Sequence, residues 1–243
     1  MTEDTNNTWH ADHLRISLFS DDNWRTSAED IFLTIFGSAP ETIINKTIAS
    51  EYSAIGNWDE FKVETKTAFN RIDFIIQAMP SSTEPLPLIE DVQNTLPKFT
   101  TLIASWIFSQ SQNVNRIAIG CNGFLPSTNL DDSYVKMKNL IQVINIDTNR
   151  FRDFNFQVNL PKTSSISPDI SINRLSRWAP IALRATFLGI NTNQLGDEMH
   201  YVSCSLDVNT DGERTNPIAK DLVEKLIEEL SKICIDTLTI GIS

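Results

Sequence analysis

Glycine, cysteine and histidine are scarce in this 243-residue chain, at eight, three and three residues. So few glycines leave no G-x-G-x-x-G or G-x-x-x-x-G-K-[ST] run, which excludes the common backbone cradles for dinucleotides and nucleoside triphosphates. Cys121, Cys204 and Cys234 are odd in number, far apart and set in apolar stretches such as "RIAIGCNGF". That pattern carries no metal spacing and no disulfide framework; it predicts small buried hydrophobes in a reducing compartment. The chain has no G-x-S-x-G elbow, no cysteine in an electropositive setting and few histidines to serve as a base, so no catalytic residue is assigned. No apolar run approaches the roughly eighteen residues that span a bilayer. The start "MTEDTNNTWHADH" is polar and acidic, unlike a signal peptide, so a cytoplasmic protein with no membrane partner is expected. Basic residues are in deficit, 20 against 31 acidic, and the net charge of -11 makes nucleic acid an unlikely partner.

What is present is a globular composition, 41% hydrophobic and 21% charged, in a chain long enough to bury a core without staples. "HLRISLF" alternates as a half-buried strand. In "TSAEDIFLTIFG", Thr26 or Ser27 can cap a helix, Ala28, Ile31, Phe32, Ile35 and Phe36 share a face, and Gly37 can end it. Three strands are predicted next, in "ETIINKTIASEY", "EFKVETKT" and "RIDFIIQAM", followed by a break at "PSSTEPLP". A helix then carries Phe99, Leu102, Ile103, Trp106 and Ile107, with Pro97 in its first turn.

The second half repeats the order. "NRIAIGCNGF" predicts a strand and "LDDSYVKMKNLIQVI" a helix with Tyr134, Met137, Leu140, Ile141 and Ile144 on one face. "RDFNFQVNL", "ISINRLSRW", "IALRATFLG" and "HYVSCSLDVN" predict four strands. The last helix is predicted with Asn216 as cap and Pro217 at its first position, its stripe formed by Ile218, Leu222, Leu226, Leu230 and Ile233. "NRI" at Asn70–Ile72 and Asn115–Ile117 and "NRL" at Asn173–Leu175 recur at strand starts. The expected fold is α+β: two tandem βαβββα-like units, residues 1–112 and 113–243, packed as one compact domain, with antiparallel sheets and helices on one face.

Three constellations could carry chemistry. Asp207, Asn209, Asp211 and Gly212 open like a calcium loop, but Ile218 stands where a bidentate Glu is needed, so a polar turn explains them. His10 and His13 in "HADH" could hold a metal only if His200 closes on them, and no metal is assigned. The third is "SINRLSRWAP". Ile172, Arg174, Ser176 and Trp178 share one strand face, and Asn173, Leu175 and Arg177 the other; Arg184 follows. This is the composition of an interface anchor, or of a cradle for a carboxylate or phosphate. Arginines paired with internal carboxylates account for the same letters.

"LRISLF", "FQVNLPKTS", "INRLSRW" and "LDVNT" together resemble a set of bacterial proteins of similar length with no assigned activity. The resemblance implies a full-length compact protein of bacterial type and gives no catalytic residues to carry over. The expected function is a non-enzymatic interaction or assembly subunit of a bacterial multiprotein system, such as a stress or phage-defence complex. Its partner is a second copy or another protein, bound through Asn173, Arg174, Arg177, Trp178 and Arg184, and no cofactor is required. The alternative is a small-molecule or nucleotide-binding enzyme whose anionic ligand sits on Arg174, Arg177 and Arg184.

Overall fold

The computed structural model describes residues 8–22, 24, 26–80, 86–110, 112–148, 150–188, 193–214 and 216–243. Residues 1–7 of the polar start and most of the "PSSTEPLP" break lie outside them. The described residues form an α+β fold in the order β1 (His10–Phe19), α1 (Ala28–Phe36), β2 (Thr42–Lys46), β3 (Glu51–Trp58), β4 (Phe61–Ala68), β5 (Arg71–Ala78), α2 (Val92–Ser109), β6 (Arg116–Ser127), α3 (Leu130–Leu140), β7 (Phe156–Asn159), β8 (Lys162–Thr163), β9 (Ser171–Leu188), β10 (Asn193–Thr210) and α4 (Lys220–Thr239). All strands join one antiparallel sheet of order β2-β3-β4-β5-β1-β6-β10-β9-β7, with β8 also on β9. The sheet runs unbroken across the middle of the chain because β1 pairs with β6, Ile16 facing Ile119. On either side of that seam the chain passes through strand, helix, four strands and helix.

Period-two alternation decides which face the helices cover. Leu14, Ile16 and Leu18 of β1 align with Ile76, Phe74 and Ile72 of β5 and with Cys121, Ile119 and Ile117 of β6, and all are buried. Val202, Cys204, Leu206 and Val208 extend this layer across β10. Buried residues of all four helices complete the same core, among them Phe32, Phe99, Tyr134 and Leu230. Gly123 allows a close approach of α4 to this face. A Cβ there would meet the Trp9 ring at 3.0 Å and Leu238 of α4 at 3.1 Å, so a larger residue would push the last helix off the sheet. No helix among the described residues is long and apolar enough to cross a membrane.

Caps fix the helix ends. Ser27 accepts from Asp30 N at 3.1 Å, and Gly37, at φ 72°, donates its N–H to Leu33 O, as its sequence position predicts. Several boundaries differ from expectation. The first three-strand run contains a fourth strand, because "ETIINKTIASEY" turns at Thr47–Ala49, with Ser50 at φ 50°, before β3 begins. Helix α2 starts five residues ahead of Pro97, capped by Asp91, so the proline lies inside it and removes a backbone donor that packing must offset. Helix α3 ends at Leu140, since Ile141 leaves to bridge Ile242 near the C-terminus. Helix α4 begins at Lys220 instead of Pro217, without a side-chain cap. Finally, "ISINRLSRW" and "IALRATFLG" form the single strand β9. Its Pro180 is tolerated because β7 ends opposite Trp178, leaving that stretch with a free edge.

Candidate functional site

Strand β9 carries every residue expected to bind, and its faces divide as the alternation predicts. Trp178 is wholly buried beneath the helices, edge-on to Trp9 at 6.1 Å, with its indole N–H donating to Ser176 Oγ at 2.9 Å. It is a packing element and offers no surface to a partner. The sequence could not foresee this, because neither face of the segment is cleanly apolar and only the sheet shows which one is covered. Arg174 shares that face, its Nε donating to Leu160 O at 2.6 Å. Asn173 lies between two other asparagines, accepting from Asn159 and donating to Asn209.

Arg177 points to the helix-free face, its Nε donating to Asn155 Oδ1 at 3.2 Å. Arg184 lies seven residues along the strand, about 23 Å away at strand rise, and is paired with Glu198 at 2.8 Å. Arg174, Arg177 and Arg184 therefore do not converge on one ligand.

Two other features do gather functional groups. The first is the far end of β9 and β10. Strand β7 stops opposite Trp178 and β6 stops opposite His200, yet β9 and β10 go on pairing with each other, Leu183–Leu188 with Asn193–Met199, through a register shift between Leu195 and Glu198. The result is a two-stranded arm projecting from the sheet, with a backbone edge on each side that no other strand among the described residues pairs.

The second feature is a polar hollow on the helix-free face. A bulge in β1 between Ala11 and Leu14 breaks the alternation. It brings Asp12 to Asn122 at 3.1 Å and sets His13 Nδ1 2.6 Å from Asp12 Oδ1. Burial works to raise the Asp12 pKa, but the hydrogen bonds from His13 and Asn122 outweigh it and hold the carboxyl below its ordinary value. His13, Asn122, Arg177, Ala179, Ile181, Ser203 and Ser205 line a cavity of about 430 Å³. Ser203 and Ser205 were not singled out from the sequence, although they alternate with Val202, Cys204 and Leu206. A serine opposite a buried stripe is unremarkable until a neighbouring strand supplies charge.

The remaining motifs resolve structurally. His200 has the strand parity of Val202, toward the helices, and its Nε2 lies 3.3 Å from Glu198, away from His10 and His13. Among the described residues no three His, Cys, Asp or Glu gather as a metal set. Asp211 caps a turn, accepting from Glu213 N at 3.0 Å, and Asn209 donates to Asp207 at 2.9 Å. All three cysteines are buried and unbridged, and burial pushes the Cys121 thiol up to about 12. They are packing residues with little thiolate character.

The fold and these two features define an α+β protein with one closed and one open sheet face. No family model, curated protein or solved structure matches the chain.

Proposed function

We propose that the chain is a non-enzymatic interaction subunit that associates with a second copy of itself through the β9–β10 arm, in a role suited to a bacterial stress or phage-defence assembly. The observation that carries the reading is the length mismatch between β9–β10 and the strands beside them. A two-stranded ribbon is marginal in water by itself, and its unpaired N–H and C=O groups are a template for further strands. A second copy offers an identical arm, and antiparallel pairing of the two β9 edges is a contact with twofold symmetry. The expected contact therefore lies at the Arg184 end of β9, and not at Trp178. The matching order of elements on either side of the β1–β6 seam supports two tandem units, 1–112 and 113–243, sharing one sheet.

Ala182 and His200 face each other across the ribbon, so an Asn-Gly turn can replace residues 183–199 without disturbing the sheet. Light scattering after size exclusion should show a dimer for the full chain and a monomer for this variant, with unchanged circular dichroism of the core. A monomeric full chain, or a variant that stays dimeric, refutes the proposal.

A further inference from the structure

We infer that the hollow on the helix-free face is a binding site for a small organic oxyanion, a carboxylate or phosphate group on a short apolar body. The argument is independent of the arm and starts from unspent donors. Arg177 uses its Nε on Asn155, and its two terminal nitrogens have no partner among the described residues. The Ser203 and Ser205 hydroxyls are likewise unpartnered, and His13 is held at Nδ1 by Asp12, which leaves Nε2 free on a side chain that is 37% exposed. Asn122 spends one amide hydrogen on Asp12 and retains the other. All five side chains line the same cavity.

Charge decides the sign of the ligand. In a chain of net charge -11, this cavity is lined by a guanidinium and an imidazole and by no carboxylate. Asp12, which borders it, is already engaged by His13 and Asn122. A fork of guanidinium donors with two hydroxyls matches an oxyanion, which accepts several hydrogen bonds at once.

Ala179 and Ile181 form the remaining wall, so the site is two-sided, and its volume of about 430 Å³ suits a molecule larger than a bare ion. The bulge is what makes the site. Were β1 regular, Asp12 and His13 would lie on opposite faces and the imidazole would lose its anchor.

The test is a titration of the ¹⁵N-labelled full chain with inorganic phosphate and, separately, with butyrate. Saturable amide shifts confined to Asn122, Arg177, Ser203, Ser205 and their neighbours are expected in at least one series. Phosphate alone points to a phosphate ester, butyrate alone to a carboxylate, and both to a general oxyanion site. Arg177→Gln should weaken binding by about tenfold or more, and Ser205→Ala by a smaller factor. Arg184→Gln, outside the cavity, should leave it unchanged. Because Arg177 is exposed, its variant should fold, which the spectrum itself will show. Absence of saturable shifts with both anions, shifts centred elsewhere, or equal affinity in Arg177→Gln overturns the inference.

Discussion

The two faces of this sheet are built from the same strands, yet they obey different rules. On the covered face, Leu14, Ile16, Phe74, Ile119 and Cys204 are dry and touch helices. On the open face polar side chains are buried beside apolar ones such as Ala118 and Phe124: Ser17 and Asp73 are 2% and 4% exposed and bonded to each other at 2.6 Å. One strand serves both, so residues one apart differ in what they can do. Trp178 locks the core while its neighbour Arg177 reaches into the hollow. The difference separates stability from binding by a single step along β9.

That separation is sharpest at this pair. Trp178→Ala removes a fully buried indole and its contact with Trp9, and should cost about 3–5 kcal/mol. Arg177→Ala should stay within about 0.5 kcal/mol of wild type. Urea unfolding of both variants checks the contrast, and similar losses would break it.

This pair also shows what could be read in advance. Alternation placed Trp178 and Arg177 on opposite faces without any structure, because side-chain period is a property of the strand alone. Which face is covered is a property of the whole sheet, and Arg174 beside Trp178 concealed it. The capped helix α1 was legible through Ser27 and Gly37 for the same local reason. The binding hollow was not, since it depends on a bulge at Asp12–His13 and on β1, β6, β9 and β10 lying side by side. The residues in contact there are separated by up to about 190 positions in the chain, and no local pattern records that. Pro97 misled because a proline's usual place is the first turn, whereas packing of Phe99, Ile103 and Trp106 sustains a helix through it.

The open face should not be wholly tolerant. Asp73 accepts from Ser17 and lies 3.0 Å from Arg71 Nε, and the Arg71 Cζ stands 5.9 Å from the centre of the Phe19 ring. Asp73→Ala strands the buried Ser17 hydroxyl, while the 37% exposed Arg71 side chain can turn to water, and should cost about 1–2 kcal/mol. Ser17→Ala removes one neutral partner and should cost about 1 kcal/mol. Thermal unfolding that shows no loss for Asp73→Ala would reduce the open face to a solvated surface.

The smallest effect compares acid response on the covered side. Glu229 of α4 accepts from Ser164 Oγ at 2.5 Å and from Ser165 N and Oγ at 2.7 Å, with Lys162 Nζ 3.9 Å away. Burial works to raise its pKa, but these hydrogen bonds and the lysine outweigh it, and the carboxyl titrates below its ordinary value. A carboxyl whose pKa is lower in the folded than in the unfolded state stabilises the fold above its unfolded value, about 4.3. That contribution disappears as pH falls through the folded value. Glu229→Gln should therefore cost about 1 kcal/mol at neutral pH. Its stability should also fall less steeply than wild type between about pH 5 and about pH 3, so that the two curves approach each other in acid. Parallel curves would mean that Glu229 ties α4 to the Ser164–Ser165 turn without its charge, and that the covered face holds its helices by packing alone.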